Sequence, residues 1–335
     1  YTEGLSDGGE RFSDCQDSGR WRPMRQELIY SMKNIHRDDF NIYGYRFGKN
    51  GVKAACIVGS LRGHEVQQLY ICSLLVKLLK DIELHGGIVG DNEILVIPSV
   101  NYPAMNVGKH FWSTDNSDIN RLFPGDATGE TTKRLAAGVF DKVKDYGYGI
   151  QFGSLYMTGD YVPHVRMMET GYHNPGLANL FGLPYVVMRK PTPYDTATLN
   201  YNWQMNGTNA FTVYSASTEA VNEPSARQAA SSVLRFLTRM GIIRYSSHSG
   251  YIASVIREED LTNVKTDRAG FFRRGTWPGA EVLRGDLMAT IIEPGSGEVI
   301  SRLLAPTDGI VFFAHSQPMV MERAIVFKII RRLHA

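Results

Sequence analysis

The sequence has only three cysteines in 335 residues, Cys15, Cys56 and Cys72, too few for a disulfide framework. It has no apolar run near the eighteen or so residues that a membrane helix needs. Its most apolar helical stretch, Leu69 to Leu79, is interrupted by Ser73 and Lys77. It has almost no net charge, with 36 basic residues against 34 acidic ones and a formal +2. So even a balance leaves no electrostatic footprint for nucleic acid or an anionic membrane surface, and neither is expected as a partner. The start, Tyr1-Thr2-Glu3-Gly4, lacks both the basic and the apolar region of a signal peptide. Unpaired cysteines without a signal point to the cytoplasm. Low-complexity classes are excluded as well, because 43% apolar and 21% charged residues is an ordinary globular mix.

The length is a prior for about two domains. Residues 1–40 read as a polar N-terminal extension, helical in periodicity only around Met24 to Met32. Residues 41–243 alternate apolar runs with helical patterns. Lys53 to Gly59 and Glu93 to Pro98 read as buried strands, and Glu65 to Lys80 as a helix with apolar Val66, Leu69, Tyr70, Leu74 and Leu78. Asn101 to Gly125 reads as a long loop, a length usually kept for function. Further on come a helix at Thr131 to Asp145, a strand at Tyr148 to Phe152, a short helix at Asn174 to Phe181, strands at Tyr185 to Arg189 and Ala210 to Tyr214, and a helix from Pro224 to about Met240. This alternation predicts an α/β fold with a mainly parallel sheet covered by helices. From residue 244 to 335, turn signals such as Glu293-Pro294-Gly295-Ser296-Gly297 separate six or seven short strands, which predicts a small β-barrel or sandwich.

Four stretches carry candidate chemistry. Gly59-Ser60-Leu61-Arg62-Gly63-His64-Glu65 joins a buried strand to a helix, at the strand end where α/β sheets bind ligands. Arg62 and Glu65 stand three apart and can face one site, while the plainer reading is a turn with Glu65 at a helix N-terminus. In Asp118-Ile119-Asn120-Arg121-Leu122-Phe123-Pro124-Gly125, Arg121 is a planar donor suited to a carboxylate, beside the Asn120 amide. A turn held by its own side chains is the alternative. Val162-Pro163-His164-Val165-Arg166 offers a histidine and an arginine whose facing the sequence leaves open. Lys190-Pro191-Thr192-Pro193-Tyr194-Asp195 and Leu199-Asn200-Tyr201-Asn202-Trp203 suit the wall of a pocket or a plain surface loop.

From about Ile42 onward these stretches resemble the succinylglutamate desuccinylase/aspartoacylase family, a branch of the zinc-carboxypeptidase-like fold. Residues 118–125 are similar to its D-x-N-R-x-F-P-G string, residues 59–65 to its G-x-x-H-G-x-E turn, and residues 162–166 to its P-x-V-R segment. The resemblance implies a metal-dependent hydrolase that removes an acyl group from an amino acid or related amide. It implies zinc held by a His, a Glu three residues later and a second His, with a Glu as general base. Glu65 matches the zinc-binding Glu. Arg62 stands at the first His, Gly153 at the second and Tyr214 at the base. Asn120, Arg121 and Arg166 are then the substrate-binding residues, and Glu65, Tyr214 and Arg62 the catalytic candidates.

Catalytic zinc takes three protein ligands of N, O or S type, and arginine and glycine supply none. Two arrangements remain. His64 joins Glu65 in a shifted zinc site completed by His110 or His164. Alternatively this is a metal-free or non-catalytic member of the family, in which Arg62 pairs with Glu65 in place of the zinc charge and Arg62, Arg121 and Arg166 surround a small anionic, carboxylate-bearing molecule. Tyr214 would serve as a base only if a cation such as Arg62 lowered its pKa; otherwise it fills space in the cleft wall. The sequence leaves room for a homo-oligomer.

Overall fold

The computed structural model describes residues 24–33, 38–154 and 157–332. Cys15 and the first 23 residues of the expected extension lie outside them. The strands are β1 Arg25–Met32, β2 Phe40–Gly48, β3 Val52–Ser60, β4 Asn92–Ser99, β5 Tyr148–Phe152, β6 Gly159–Tyr161, β7 His164–Met168, β8 Tyr185–Arg189, β9 Asn209–Tyr214 and β10 Ser254–Arg257, followed by β11 Thr262–Lys265, β12 Gly270–Arg274, β13 Glu281–Val282, β14 Leu287–Ile292, β15 Val299–Leu304, β16 Gly309–His315, β17 Met319–Val320 and β18 Ile325–Arg331. The α-helices are α1 Val66–Leu84, α2 Tyr102–Asn106, α3 Thr131–Val143, α4 Pro175–Asn179, α5 Leu199–Met205 and α6 Glu223–Arg239.

Nine strands form one mixed sheet in the order β1-β2-β4-β3-β5-β9-β7-β8-β10. Its centre, β4-β3-β5-β9, is parallel. That is why β3 and β4 are apolar on both faces. Ala55, Ile57, Ile94 and Val96 pack toward Ile71, Leu75, Val233 and Leu237 of α1 and α6. Their alternates Cys56, Val58, Leu95 and Ile97 pack toward Leu135 and Val139 of α3 and Trp203 of α5. The two described cysteines, Cys56 and Cys72, are thus core residues, and burial pushes both thiols far above their ordinary pKa.

Two expectations are corrected here. The segment around Met24 to Met32 is not a helix but the strand β1, antiparallel to β2. Its periodicity misleads because only Ile29 of the strand is buried. The stretch from Asn101 to Gly125 is not structureless either: it holds α2 and a 3₁₀ turn at Ile119–Arg121.

The later strands form two antiparallel sheets, one in the order β11-β18-β16-β13 with β6 paired to β16, the other β15-β14-β12-β17. They enclose a core around Met288, Val311 and Phe327. Tyr161, Val187 and Tyr214 pack with Phe312 and Phe313 where these strands meet the large sheet. β10, beyond residue 244, still belongs to the large sheet through its pairing with β8.

Candidate functional site

The carboxyl ends of β3, β5 and β9 lie side by side, and a cavity of about 270 Å³ opens over them. Arg62, Asn120, Arg121, Arg166 and Tyr214 all line it. Glu65 sits beneath it, 1% exposed.

Glu65 precedes α1 and turns its carboxylate back onto the chain. Oε2 accepts from the Leu61 amide at 2.8 Å and the Arg62 amide at 3.1 Å. Oε1 accepts from Ser154 Oγ at 2.6 Å and Arg62 Nη1 at 3.3 Å. The Arg62 guanidinium is gripped from the other side by Asp118, with Nε–Oδ1 at 3.1 Å and Nη2–Oδ2 at 2.8 Å. One buried cation therefore bridges the buried Glu65 carboxylate and the half-buried Asp118. Asp118 also accepts from the Asn120 amide at 3.1 Å, which fixes the 3₁₀ turn that carries Asn120 and Arg121.

Asn120 Oδ1 accepts from the Leu199 amide at 3.1 Å, tying that turn to α5. Arg121 Nη1 donates to the Tyr194 carbonyl at 2.8 Å and reaches Asp195 at 3.4 Å. The proline-stiffened segment 190–195 is thus the backing of Arg121. Asp195 in turn accepts from Arg189 at 2.9 Å and from the Thr192 amide at 2.7 Å. Burial works against its charge, yet the Thr192 hydrogen bonds and the Arg189 and Arg121 charges hold its carboxyl below the usual range.

Arg166 projects from β7. Its Nη1 donates to Tyr214 Oη at 3.4 Å, its guanidinium lies 4.9 Å from the Tyr214 ring centre, and its Nη2 contacts Glu258 at 3.4 Å. The cation beside Tyr214 is therefore Arg166; Arg62 is engaged by Asp118 and Glu65. Glu258, just after β10, also meets Lys328 of β18 at 3.4 Å and Arg189 at 3.5 Å. Against the cost of burial, Arg166, Lys328 and Arg189 hold its carboxyl below the ordinary range.

The described side chains are not gathered into the shifted metal site. The His64 ring stacks on His110, with centroids 3.8 Å apart, and both face a separate recess bordered by Asp160, Thr218 and Ser316. Burial and the nearby Arg62 lower the His64 pKa to about 4. His164 is buried, stacks on Tyr214 with centroids 4.7 Å apart, and bonds through Nδ1 to the Val162 carbonyl at 2.8 Å. Neither histidine joins the Glu65 carboxylate, because neighbouring residues at a helix entry diverge and Glu65 is folded back on its own turn. Among the described residues no three His, Cys, Asp or Glu side chains are grouped to hold one ion.

The position of the second family histidine is closed as well. A Cβ on Gly153 would lie 2.4 Å from Thr212 Cγ2 and 2.7 Å from Tyr214 Cζ. The Tyr214 ring thus takes the space that a side chain at 153 would need. With an arginine at the first ligand position, no side chain at the second, and both Glu65 oxygens already hydrogen-bonded, the residues present do not fit a zinc ion.

The comparisons agree with this architecture. Residues 52–240 match the model of the succinylglutamate desuccinylase/aspartoacylase catalytic domain. The chain belongs to that family. Among curated proteins, the N-alpha-acetyl-L-2,4-diaminobutyric acid deacetylase of Halomonas elongata is 25% identical over 147 residues, 40% of this chain and 39% of that protein. The matched stretch thus spans well under half of the relative. A solved succinylglutamate desuccinylase from Silicibacter superposes with TM-score 0.75 at 18% identity, covering 91% of this chain and 94% of that one. A succinylglutamate desuccinylase/aspartoacylase from Rhodobacter sphaeroides gives 0.73 at 22% identity, covering 94% and 97%. A product-bound ectoine utilization protein from Ruegeria pomeroyi gives 0.74 at 19%, covering 92% and 95%. At such identities the structural likeness establishes the fold. Zinc dependence is a general feature of the family, which makes the altered ligand positions a departure by this member. No helix among the described residues is long and apolar enough to cross a membrane.

Sequence reasoning missed several side chains of the cavity. Ser154 follows β5 without a motif around it. Arg189, Glu258 and Lys328 come from distant parts of the chain and meet only in three dimensions. Asp118 was visible as the first residue of the D-x-N-R string, but its hold on Arg62 was not.

Proposed function

We propose that this chain binds a small carboxylate-bearing acyl amide, the kind of molecule deacylases act on, and that zinc has no part in holding it. The observation that carries this reading is the Arg62 guanidinium, fixed between Asp118 and Glu65 beside the cavity that also receives Asn120, Arg121 and Arg166. Five cationic side chains line that cavity: Arg62, Arg121, Arg166, Arg189 and Lys328. Four carboxylates contact them: Glu65, Asp118, Asp195 and Glu258. Among the described residues the cations outnumber the carboxylates, which suits an anionic, carboxylate-bearing ligand. Guanidinium groups are apt for the task because their planar donors match carboxylate geometry. Family membership, and a curated relative named for an acylated amino acid, support the same ligand class.

Isothermal titration with N-acetyl- and N-succinyl-amino acids checks the reading on protein treated with chelator. The expected result is binding that chelator leaves unchanged and that Arg121→Ala or Arg166→Ala weakens by roughly tenfold or more, the range for a lost charged hydrogen bond. About one tightly held zinc per chain, whose removal abolishes binding, would overturn it.

A further inference from the structure

Ser154 stands at the mouth of the network that replaces the metal. It follows β5, is half-buried, and lines the cavity. Its Oγ donates to Glu65 Oε1 at 2.6 Å and accepts from Arg62 Nη1 at 3.5 Å. The other Glu65 oxygen is held by two backbone amides, so Oε1 is the one presented to the serine. A hydroxyl hydrogen-bonded to a buried, oriented carboxylate, open to a ligand cavity and flanked by a fixed guanidinium, is the arrangement of an activated nucleophile.

We infer that Ser154 is the nucleophile of a metal-free deacylation, with Glu65 as its general base and Arg62 as the charge that stabilises the oxyanion. This rests on the reading of the cavity as an acyl-amide site. In the first half-reaction a bond forms between Ser154 Oγ and the acyl carbonyl carbon, and the hydroxyl proton passes to Glu65 Oε1. The carbonyl electron pair moves onto its oxygen beside Arg62. Collapse breaks the C–N bond, and the proton on Glu65 leaves with the amine. Water then attacks the Ser154 ester and gives a proton to Glu65. The C–Oγ bond breaks, the acid departs and the proton returns to Oγ. Nothing but substrate and water is consumed. Arg62, held in place by Asp118, supplies a fixed positive charge beside Ser154 Oγ.

The test uses the full chain in excess chelator, with 4-nitrophenyl acetate as acyl donor and acid-quenched mass spectrometry as readout. The expected result is an acetyl group on Ser154, formed in a burst and then lost to water. Ser154→Ala should abolish the burst while the chain still folds, with a melting temperature lowered by loss of the Glu65 hydrogen bond, and still binds N-acetyl-amino acids. Glu65→Gln should slow acylation by about 10²- to 10⁴-fold, the usual contribution of a general base. Because Glu65 is buried and its replacement can unfold the chain, Ser154→Cys is the second variant. Its thiol should accept the acetyl group at the same position. A burst that persists in Ser154→Ala, or an acetyl group that maps elsewhere, overturns the inference. Binding of N-acetyl-amino acids without any Ser154 adduct overturns it while leaving the pocket reading intact. An adduct on Ser154 without such binding overturns the pocket reading alone.

Discussion

Tyr214 Cζ would stand 2.7 Å from a Cβ on residue 153, and Thr212 Cγ2 only 2.4 Å away. Real side chains do not approach so closely, so the tyrosine and the glycine are one arrangement rather than two independent departures from the family pattern. Thr212 and Tyr214 lie on β9, whose centre is fixed by parallel pairing with β5, and the room for adjustment is small. Gly153→Ala is therefore expected to cost about 1–3 kcal/mol, the usual penalty for overpacking. Adding Tyr214→Ala should recover part of that loss, giving a coupling of about 0.5–3 kcal/mol in a double-mutant cycle measured by urea unfolding. Strict additivity of the two changes would remove the interlock. The same reasoning explains why changing one residue alone will not restore a zinc site. A histidine at 153 meets the tyrosine, and a histidine at 62 leaves the Asp118 carboxylate without its guanidinium.

At the scale of elements, legibility tracked how strongly a segment's burial was patterned. The doubly buried strands β3 and β4 announced themselves by apolar runs, and the helix α6 by the proline in its first turn. The strand β1 did not, since one face meets solvent and only Ile29 is buried. The string 118–121 was legible as a turn bearing Asn120 and Arg121, and both side chains line the cavity. The contribution of Glu258 was not, because its partners Arg166, Arg189 and Lys328 come from three strands that the topology alone brings together. That convergence has a consequence. On the proposed carboxylate-binding reading, Glu258 competes with the ligand for the same cations. Glu258→Gln removes a charge but keeps the shape, so binding of N-acetyl-amino acids should tighten by roughly tenfold, about 1.4 kcal/mol. Stability should fall as the cations lose their partner. Titration calorimetry paired with a thermal melt reads both effects, and weaker binding in the variant would mean that Glu258 itself touches the ligand.

For the whole molecule, the histidines matter as buried neutral groups. His164 lies where the large sheet meets the later strands, stacked on Tyr214 and close to Phe312. Burial, and after it the Arg166 charge, lower its pKa to about 3 from an ordinary 6.5. Its Nδ1 donates to the Val162 carbonyl and its Nε2 is buried without a hydrogen-bond partner, so a second proton would have nowhere to be solvated. In the unfolded chain the ring takes up that proton as pH falls through 6.5; in the folded chain it does not until about pH 3. Its contribution to stability is therefore complete above about pH 6.5 and is lost as pH falls from there toward 3. At about 1.4 kcal/mol per pH unit, the loss between pH 6.5 and 5 is about 2 kcal/mol. The carboxyls of Asp195 and Glu258, held below their ordinary range, add their own losses only at lower pH. Urea unfolding at pH 7.5 and pH 5 should thus show a drop in the native protein that His164→Phe reduces by about that amount. An equal drop in both would mean that the meeting point of the two bodies tolerates an imidazolium. The acid sensitivity would then have to come from His64 and His110, whose pKa values burial also lowers to about 4.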